Sequence, residues 1–221
     1  MEQDQCELAR GLSSAEVSDA LDFFGLPGSS PGLTPVAGPQ RLFGPAFTVR
    51  FAPVDTAQPG TVGDYLDDIP AGSVAVLDNA GRSDCTVWGG IMSRLAAHRA
   101  IGGTVVHGVC RDTEEADAAA YPLFAQGRFM RTGKDRVQVD AVGGPVSVAG
   151  VRVSPGDMVV ADQDGVVFVP AGRAAQVFER ALAMRAVEAR IVAVVLDGMP
   201  LAEARRAFGY HTLQRRPAAD L

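Results

Sequence analysis

The sequence predicts an α/β fold, and three observations carry that expectation. Short apolar runs bounded by turn residues, Val74-Ala-Val-Leu77 and Thr104-Val-Val-His107, have the length of buried strands. Between them Val87, Ile91 and Leu95, with Trp88, Met92 and Ala96, recur at helical spacing until Gly102-Gly103. Strand, helix, strand of this length reads as a crossover between parallel strands. From Arg136 to Pro170 the character changes to short valine runs punctuated by glycine, the pattern of a β-rich half with tight turns. Neither an internal repeat nor a long linker interrupts the chain, so residues 1–221 are expected to form a single domain.

The other elements follow in order. Ser13-Ser-Ala-Glu16 is a capping-box pattern that opens a helix through Val17, Ala20, Leu21 and Phe24, stopped near Gly25 and Pro27. A Pro/Gly-rich connection runs to about Gly44 and leads into the strand Ala46 to Phe51. Val62 to Ile69 reads as a short helix, and Asp112 to Ala120 as the start of another. Ala171 to Leu196 returns to helical spacing, Leu201 to Phe208 forms a last short helix, and the tail after Gln214 is expected to fray.

Composition narrows the function. The 221 residues carry a net charge of −6 and no basic cluster, which argues against a nucleic-acid partner. No apolar run approaches the roughly 18 residues of a membrane span. The acidic, polar start Met1 to Cys6 does not resemble a signal peptide, so a cytoplasmic location is expected. Lys134 is the only lysine and sits in a polar, turn-like segment, which argues against a lysine-imine enzyme. Cys6, Cys85 and Cys110 are widely spaced thiols without a CxxC pair, and His98, His107 and His211 show no metal-binding spacing. A catalytic metal would therefore lean on carboxylates, pointing to magnesium or manganese before zinc.

Two segments leave the carboxyl ends of adjacent expected strands, where open parallel sheets bind ligands. Asp78 to Gly90 is read as a loop running into a helix, with Asp78 and Asp84 as loop carboxylates. Gly108 to Glu115 is the second segment. Gly89 and Gly90 would let backbone N–H groups at a helix start approach an anion such as a carboxylate. Arg111 can fork onto a carboxylate or keto oxygen. Asp112 and Glu115, three residues apart, share a helical face and suit a hydrated divalent cation. His107 is read as a packed, hydrogen-bonded histidine at a strand end.

These residues also resemble a known family. Gly90, twenty intervening residues, Arg111-Asp112, two more and Glu115 are similar to the signature of the RraA-like family, which includes the 4-hydroxy-4-methyl-2-oxoglutarate and 4-carboxy-4-hydroxy-2-oxoadipate aldolases. Val17 to Leu21, Gly44 to Val49, Trp88 to Met92, and Pro155 to Val166 continuing through Val169-Pro170 extend the likeness over most of the chain. The resemblance implies an α/β/α sandwich with a swivelling β/β/α core, assembled as a homotrimer with sites between subunits. It implies metal-dependent chemistry on 2-oxo acids, with Mg²⁺ or Mn²⁺ held directly by Asp112 and through water by Glu115. The substrate carboxylate would sit on the amides of Gly89, Gly90, Ile91 and Met92, with Arg111 on its oxygens. Glu188, by its position in the helix after Pro170, is the candidate acid contributed by a neighbouring subunit. Such an enzyme would release pyruvate from 4-hydroxy-2-oxo acids and decarboxylate oxaloacetate. The alternatives are a non-catalytic regulator of a ribonuclease E-type enzyme, as the family's namesake is, or the same chemistry on another 2-oxo or hydroxy acid. Relatives of the related type carry Asp where this chain has Gly90, which puts more weight on Glu115.

Overall fold

The computed structural model describes residues 8–215. Helix α1 (Ser14–Phe24) opens as its capping box requires: Ser13 Oγ accepts from Glu16 N–H, and Glu16 accepts in return from Ser13 N–H at 2.7 Å. Gly25, at φ 64°, turns the chain out of the helix, and Leu26 N–H closes back on Leu21 C=O. Two short strands follow, β1 (Ser29–Ser30) and β2 (Thr34–Ala37), in the stretch that the sequence reads as plain connection. Segments of two and four residues are too short to show a period.

Strand β3 (Leu42–Pro53) is longer than expected and serves three partners. Its start pairs antiparallel with β10 (Met158–Asp162), its middle parallel with β4 (Val74–Thr86), and its end antiparallel with β7 (Val137–Val142). A 3-10 turn at Asp64–Asp68 replaces the expected helix at 62–69. Helix α2 (Gly90–His98) connects β4 to β5 (Gly103–Cys110) as the anticipated parallel crossover. Helix α3 (Thr113–Ala118) leads to β6 (Leu123–Arg128), again parallel to β5. The valine-rich half contributes β7, the hairpin β8 (Val146–Val148) and β9 (Val151–Val153), β10 and β11 (Gly165–Val169). Helices α4 (Ala174–Leu196) and α5 (Leu201–Ala207) follow, and a 3-10 turn at Tyr210–Thr212 comes last.

The sheet order is β1-β11-β10-β3-β4-β5-β6-β2, with β7 beside β3. The class is α/β, and the sheet is mixed because β1, β11 and β10 on one side and β2 at the other edge pair antiparallel with their neighbours. Alternation of side chains sorts the core into layers. Ala75, Leu77, Val106 and Ala125 face α2 and α3, where Ala96, Ala116 and Trp88 pack on them. Val74, Val76, Val105 and Phe124 face the other way, onto Val159, Val166, Phe168 and the β8–β9 hairpin. The alternate residues of β10 and β11, Val160, Val167 and Val169, meet Val17 and Leu21 of α1 and Val177 and Phe178 of α4. Helices therefore form both outer layers, and the sheet curls over itself between them. Among the described residues no helix is long and apolar enough to cross a membrane.

A further expectation is corrected. Residues 78–86 are not a loop: β4 continues to Thr86, with its register to β5 slipping between Asp78 and Arg82 and again before Thr86. Ala80 at φ 53° and Gly81 at φ 67° supply the bulge that keeps the strand beside β5. Asp78 is consequently a buried strand residue. Its Oδ1 lies 3.2 Å from His107 Nδ1, and its Oδ2 accepts from Ser147 N–H at 3.1 Å. Burial raises the Asp78 carboxyl, but these hydrogen bonds and one from Ala80 outweigh it and hold it below the ordinary carboxylate value. His107 is thus the packed, hydrogen-bonded histidine expected, but it lies inside β5, not at its end, tying β5 to β4 and to the β8 carbonyl of Ser147 at 3.0 Å.

Candidate active site

The two segments expected to share a crevice do meet. Arg111 N–H donates to Trp88 C=O at 3.1 Å, which locks the end of β5 against the residues just before α2. Trp88 is buried, stacks on Tyr121, and donates from its indole to Ser93 Oγ at 2.9 Å. That anchor sets the entry angle of α2. Gly89 is the extended residue before the helix, with φ −153°, and Gly90 is its first residue.

Both glycines are required by what lies over them. A Cβ on Gly89 would stand 2.8 Å from Asp112 Oδ2, and one on Gly90 would stand 2.4 Å from Glu115 Cδ. The two carboxylates are therefore packed directly on the start of α2. Gly90 N–H donates to Asp112 Oδ2 at 3.0 Å, and Arg111 Nε lies 3.4 Å from the same oxygen. Asp112 takes a left-handed backbone at φ 55°, a conformation aspartate tolerates better than most side chains, and it makes the sharp turn from β5 into α3. Glu115 faces Arg94 Nη1 at 3.8 Å.

Together these groups line a cavity of about 390 Å³, whose walls include Gly89, Gly90, Ile91, Met92, Arg111, Asp112 and Glu115. All the residues expected on the substrate and metal side are gathered there. The same cavity is bordered by Val62, Gly63, Thr132 and Lys134, none of which sequence reasoning placed. Lys134 reaches it because the parallel bridge Thr86–Thr132 and the bond from Thr86 N–H to Arg131 C=O bring the segment before β7 against the end of β4. No local pattern encodes that long-range pairing.

Glu188 is not brought to this cavity in its own chain. It lies on α4 beside α1, where burial and then the charges of Asp19 and Glu16 raise its carboxyl above the ordinary value. Cys85 and Cys110 are buried free thiols, and burial pushes Cys110 up to about 12, which leaves it unreactive. Cys6 lies outside the described residues.

Whether the cavity fits a divalent cation is decided by its donors. Asp112 and Glu115 are both partly exposed to it, and among the described residues no third His, Cys, Asp or Glu joins them. Two carboxylates without a surrounding cage match a hard cation that keeps most of its water, and do not match zinc. The glycine cradle, filled on both sides by carboxylate oxygens, holds those donors in place.

The fold and this site define an α/β protein with a cavity at the carboxyl ends of parallel strands, lined by a glycine-rich helix start, an arginine and two carboxylates. Comparison with known proteins gives the family: residues 14–168 match the model described as RraA-like, Aldolase/RraA, and the chain belongs to that family. Protein DlpA of Legionella pneumophila is 38% identical over 202 residues, covering 90% of this chain but 32% of DlpA. The chain therefore spans about a third of that relative's length. A Halalkalibacterium halodurans protein named "Putative 4-hydroxy-4-methyl-2-oxoglutarate aldolase" is 32% identical over 174 residues, covering 78% of this chain and 79% of the relative. Among solved structures, an uncharacterised protein of Pseudomonas syringae pv. tomato superimposes with TM-score 0.85 at 41% identity, over 93% of this chain and 98% of that one. A Streptomyces coelicolor protein, described as an unusual member of the RNase ES inhibitor RraA family, gives TM-score 0.77 at 25% identity, over 85% and 95% of the two chains.

Proposed function

We propose that the protein is a divalent-metal-dependent lyase that releases pyruvate from 4-hydroxy-2-oxo acids such as 4-hydroxy-4-methyl-2-oxoglutarate, and that decarboxylates oxaloacetate at the same site. The observation that carries this reading is the convergence of Arg111, Asp112 and Glu115 on a glycine-lined helix start within one cavity. Both reactions break a bond to C3 of a 2-oxo acid and leave a pyruvate enolate, so a single arrangement that accommodates negative charge at the 2-oxo oxygen serves both.

Each group has a task in that chemistry. The N–H groups at the start of α2 bind the C1 carboxylate, helped by the positive end of the helix. The Arg111 guanidinium donates to the oxygen on which charge develops, and the Trp88 carbonyl fixes its backbone. Asp112 and Glu115 would hold Mg²⁺ or Mn²⁺, which when bound supplies Lewis-acid polarisation of the 2-oxo group. Removal of the C4 hydroxyl proton needs a base, for which Glu188 of a neighbouring copy is the candidate. Its raised carboxyl makes it a stronger base than an ordinary glutamate. The exposed apolar side chains Ile91, Leu95 and Met130 make the surface near the cavity suited to a neighbour in a homotrimer.

Arg111→Ala and Asp112→Asn test the reading. Pyruvate release from both substrates is expected to fall at least about 100-fold in each variant, as loss of a group that stabilises developing charge does. Near-normal rates in either variant would overturn it. A second reading, a regulator that binds a ribonuclease E-type enzyme, is favoured by the likeness to the Streptomyces coelicolor inhibitor-family protein. Under it, the wild-type chain turns over neither substrate, and inhibition of the ribonuclease survives both substitutions.

A further inference from the structure

Ser93, on the first turn of α2, is fully buried, and its hydroxyl has two partners. It lies 2.9 Å from the indole nitrogen of Trp88 and 3.3 Å from the carbonyl oxygen of Gly89. An indole N–H can only donate and a carbonyl can only accept, so the roles are fixed: the hydroxyl accepts from Trp88 and donates to Gly89. Ser93 N–H donates to the same carbonyl at 3.1 Å. Trp88 is itself held at several points. Its ring stacks on Tyr121 with 5.9 Å between centroids, the Tyr121 hydroxyl lies 2.8 Å from Thr104 Oγ1, and the Trp88 carbonyl accepts from Arg111 N–H.

The other end of the same peptide unit reaches the proposed cation site. The Gly89 carbonyl and the Gly90 N–H belong to one planar trans peptide and point in opposite directions. That N–H donates to Asp112 Oδ2 at 3.0 Å. The indole of Trp88, the hydroxyl of Ser93, the Gly89–Gly90 peptide and the Asp112 carboxylate thus form one directed chain of hydrogen bonds, in which each polarises the next. Two glycines leave this peptide without side chains to restrain it, so its plane is set by the groups it bonds to. We propose that Ser93 is a positioning residue that orients Asp112 through the Gly89–Gly90 peptide and so tunes its hold on a divalent cation. This rests on the reading of Asp112 as a metal ligand. A serine that merely bonds back to the carbonyl four residues earlier could turn to other rotamers, whereas here the buried indole fixes the direction of the hydroxyl.

The test follows Mg²⁺ alone, without substrate or turnover. Dissociation constants are measured by calorimetry for the wild type, Ser93→Ala, Trp88→Phe and Thr48→Val. Trp88, the only tryptophan of the chain, supplies an emission signal directly beside the hydroxyl. Ser93→Ala should weaken Mg²⁺ binding about tenfold, the lower range for loss of a group that orients a metal ligand. Trp88→Phe keeps the stacked ring and removes the donor, and should weaken binding by a smaller factor. Thr48→Val removes another buried hydroxyl, one that donates to Gly144 C=O outside the cavity, and should leave the affinity unchanged. Saturating Mg²⁺ should shift the Trp88 emission in the wild type and leave it unmoved in Ser93→Ala, a loss that a merely structural serine would not cause. Unchanged affinity in Ser93→Ala or, should that variant not fold, in Trp88→Phe would overturn the role of Ser93 and leave the metal reading standing. So would an equal loss in Thr48→Val, or an emission shift that is absent from the wild type or persists in Ser93→Ala. Failure of the wild type to bind Mg²⁺ would overturn both.

Discussion

Gly90 shows how much a single residue decides. Its missing side chain leaves the space that the Glu115 carboxylate occupies, so Gly90→Ala must displace Glu115. Pyruvate release and Mn²⁺ affinity are both expected to fall about tenfold or more, the usual effect of moving a group that orients a metal site. The melting temperature should change little by comparison. Gly144→Ala, where an added Cβ meets nothing within 4 Å, is the control and should leave both unchanged. Full activity in Gly90→Ala would mean that Glu115 has no part in the site. At this scale the sequence is most readable: Gly89, Gly90, Arg111, Asp112 and Glu115 flank one crossover, and their meeting in one cavity follows from local chain direction. Lys134 and Val62 were not readable, because long-range pairings, Thr86 with Thr132 and Val139 N–H with Thr61 C=O, bring their segments to the cavity.

Helix α1 and helix α4 are joined by a pair that makes stability depend on pH. Arg185 on α4 donates to Glu16 of the capping box and, with Ser13, holds the Glu16 carboxyl at about 2 against an ordinary 4.5. The unfolded chain therefore takes up a proton before the native one as pH falls. The stabilisation is complete above pH 4.5 and is lost as pH drops towards about 2. Glu16→Gln should lower the melting temperature at neutral pH and flatten the acid limb over that interval; an unchanged limb would show that the pair contributes nothing. Ser13→Ala should cost about 1 kcal/mol through the lost cap, measurable by denaturant unfolding. The helices were legible because capping residues and periodicity are local. The course of β4 beyond Leu77 was not, since polar residues 78–86 have no apolar alternation and stay in the sheet through a bulge matched to β5. The edge strands β1 and β2 were missed for a related reason, as their pairing is set by β11 and β6.

At the scale of the whole molecule, the curled sheet places the cavity beside exposed Ile91, Leu95 and Met130, while Glu188 lies on the opposite helical layer. Within one chain the proposed proton acceptor and the proposed cation site are therefore apart, and the proposed reaction needs a neighbouring copy to complete the site. Sedimentation equilibrium is expected to find three chains per particle, and Ile91→Glu to dissociate it with loss of activity. A fully active monomer would remove Glu188 from the reaction. The α/β class could be anticipated from chain order and the layered arrangement only from the family resemblance, and the contact proposed between copies is not written in any periodicity.

The central claim is that the cavity performs metal-dependent enolate chemistry, and pyruvate release tests it most directly. The protein is assayed on 4-hydroxy-4-methyl-2-oxoglutarate and on oxaloacetate after chelation with EDTA and again after Mg²⁺ is restored. Both activities are expected to disappear with the chelator and return with the metal. Pyruvate release that persists undiminished in EDTA would contradict it.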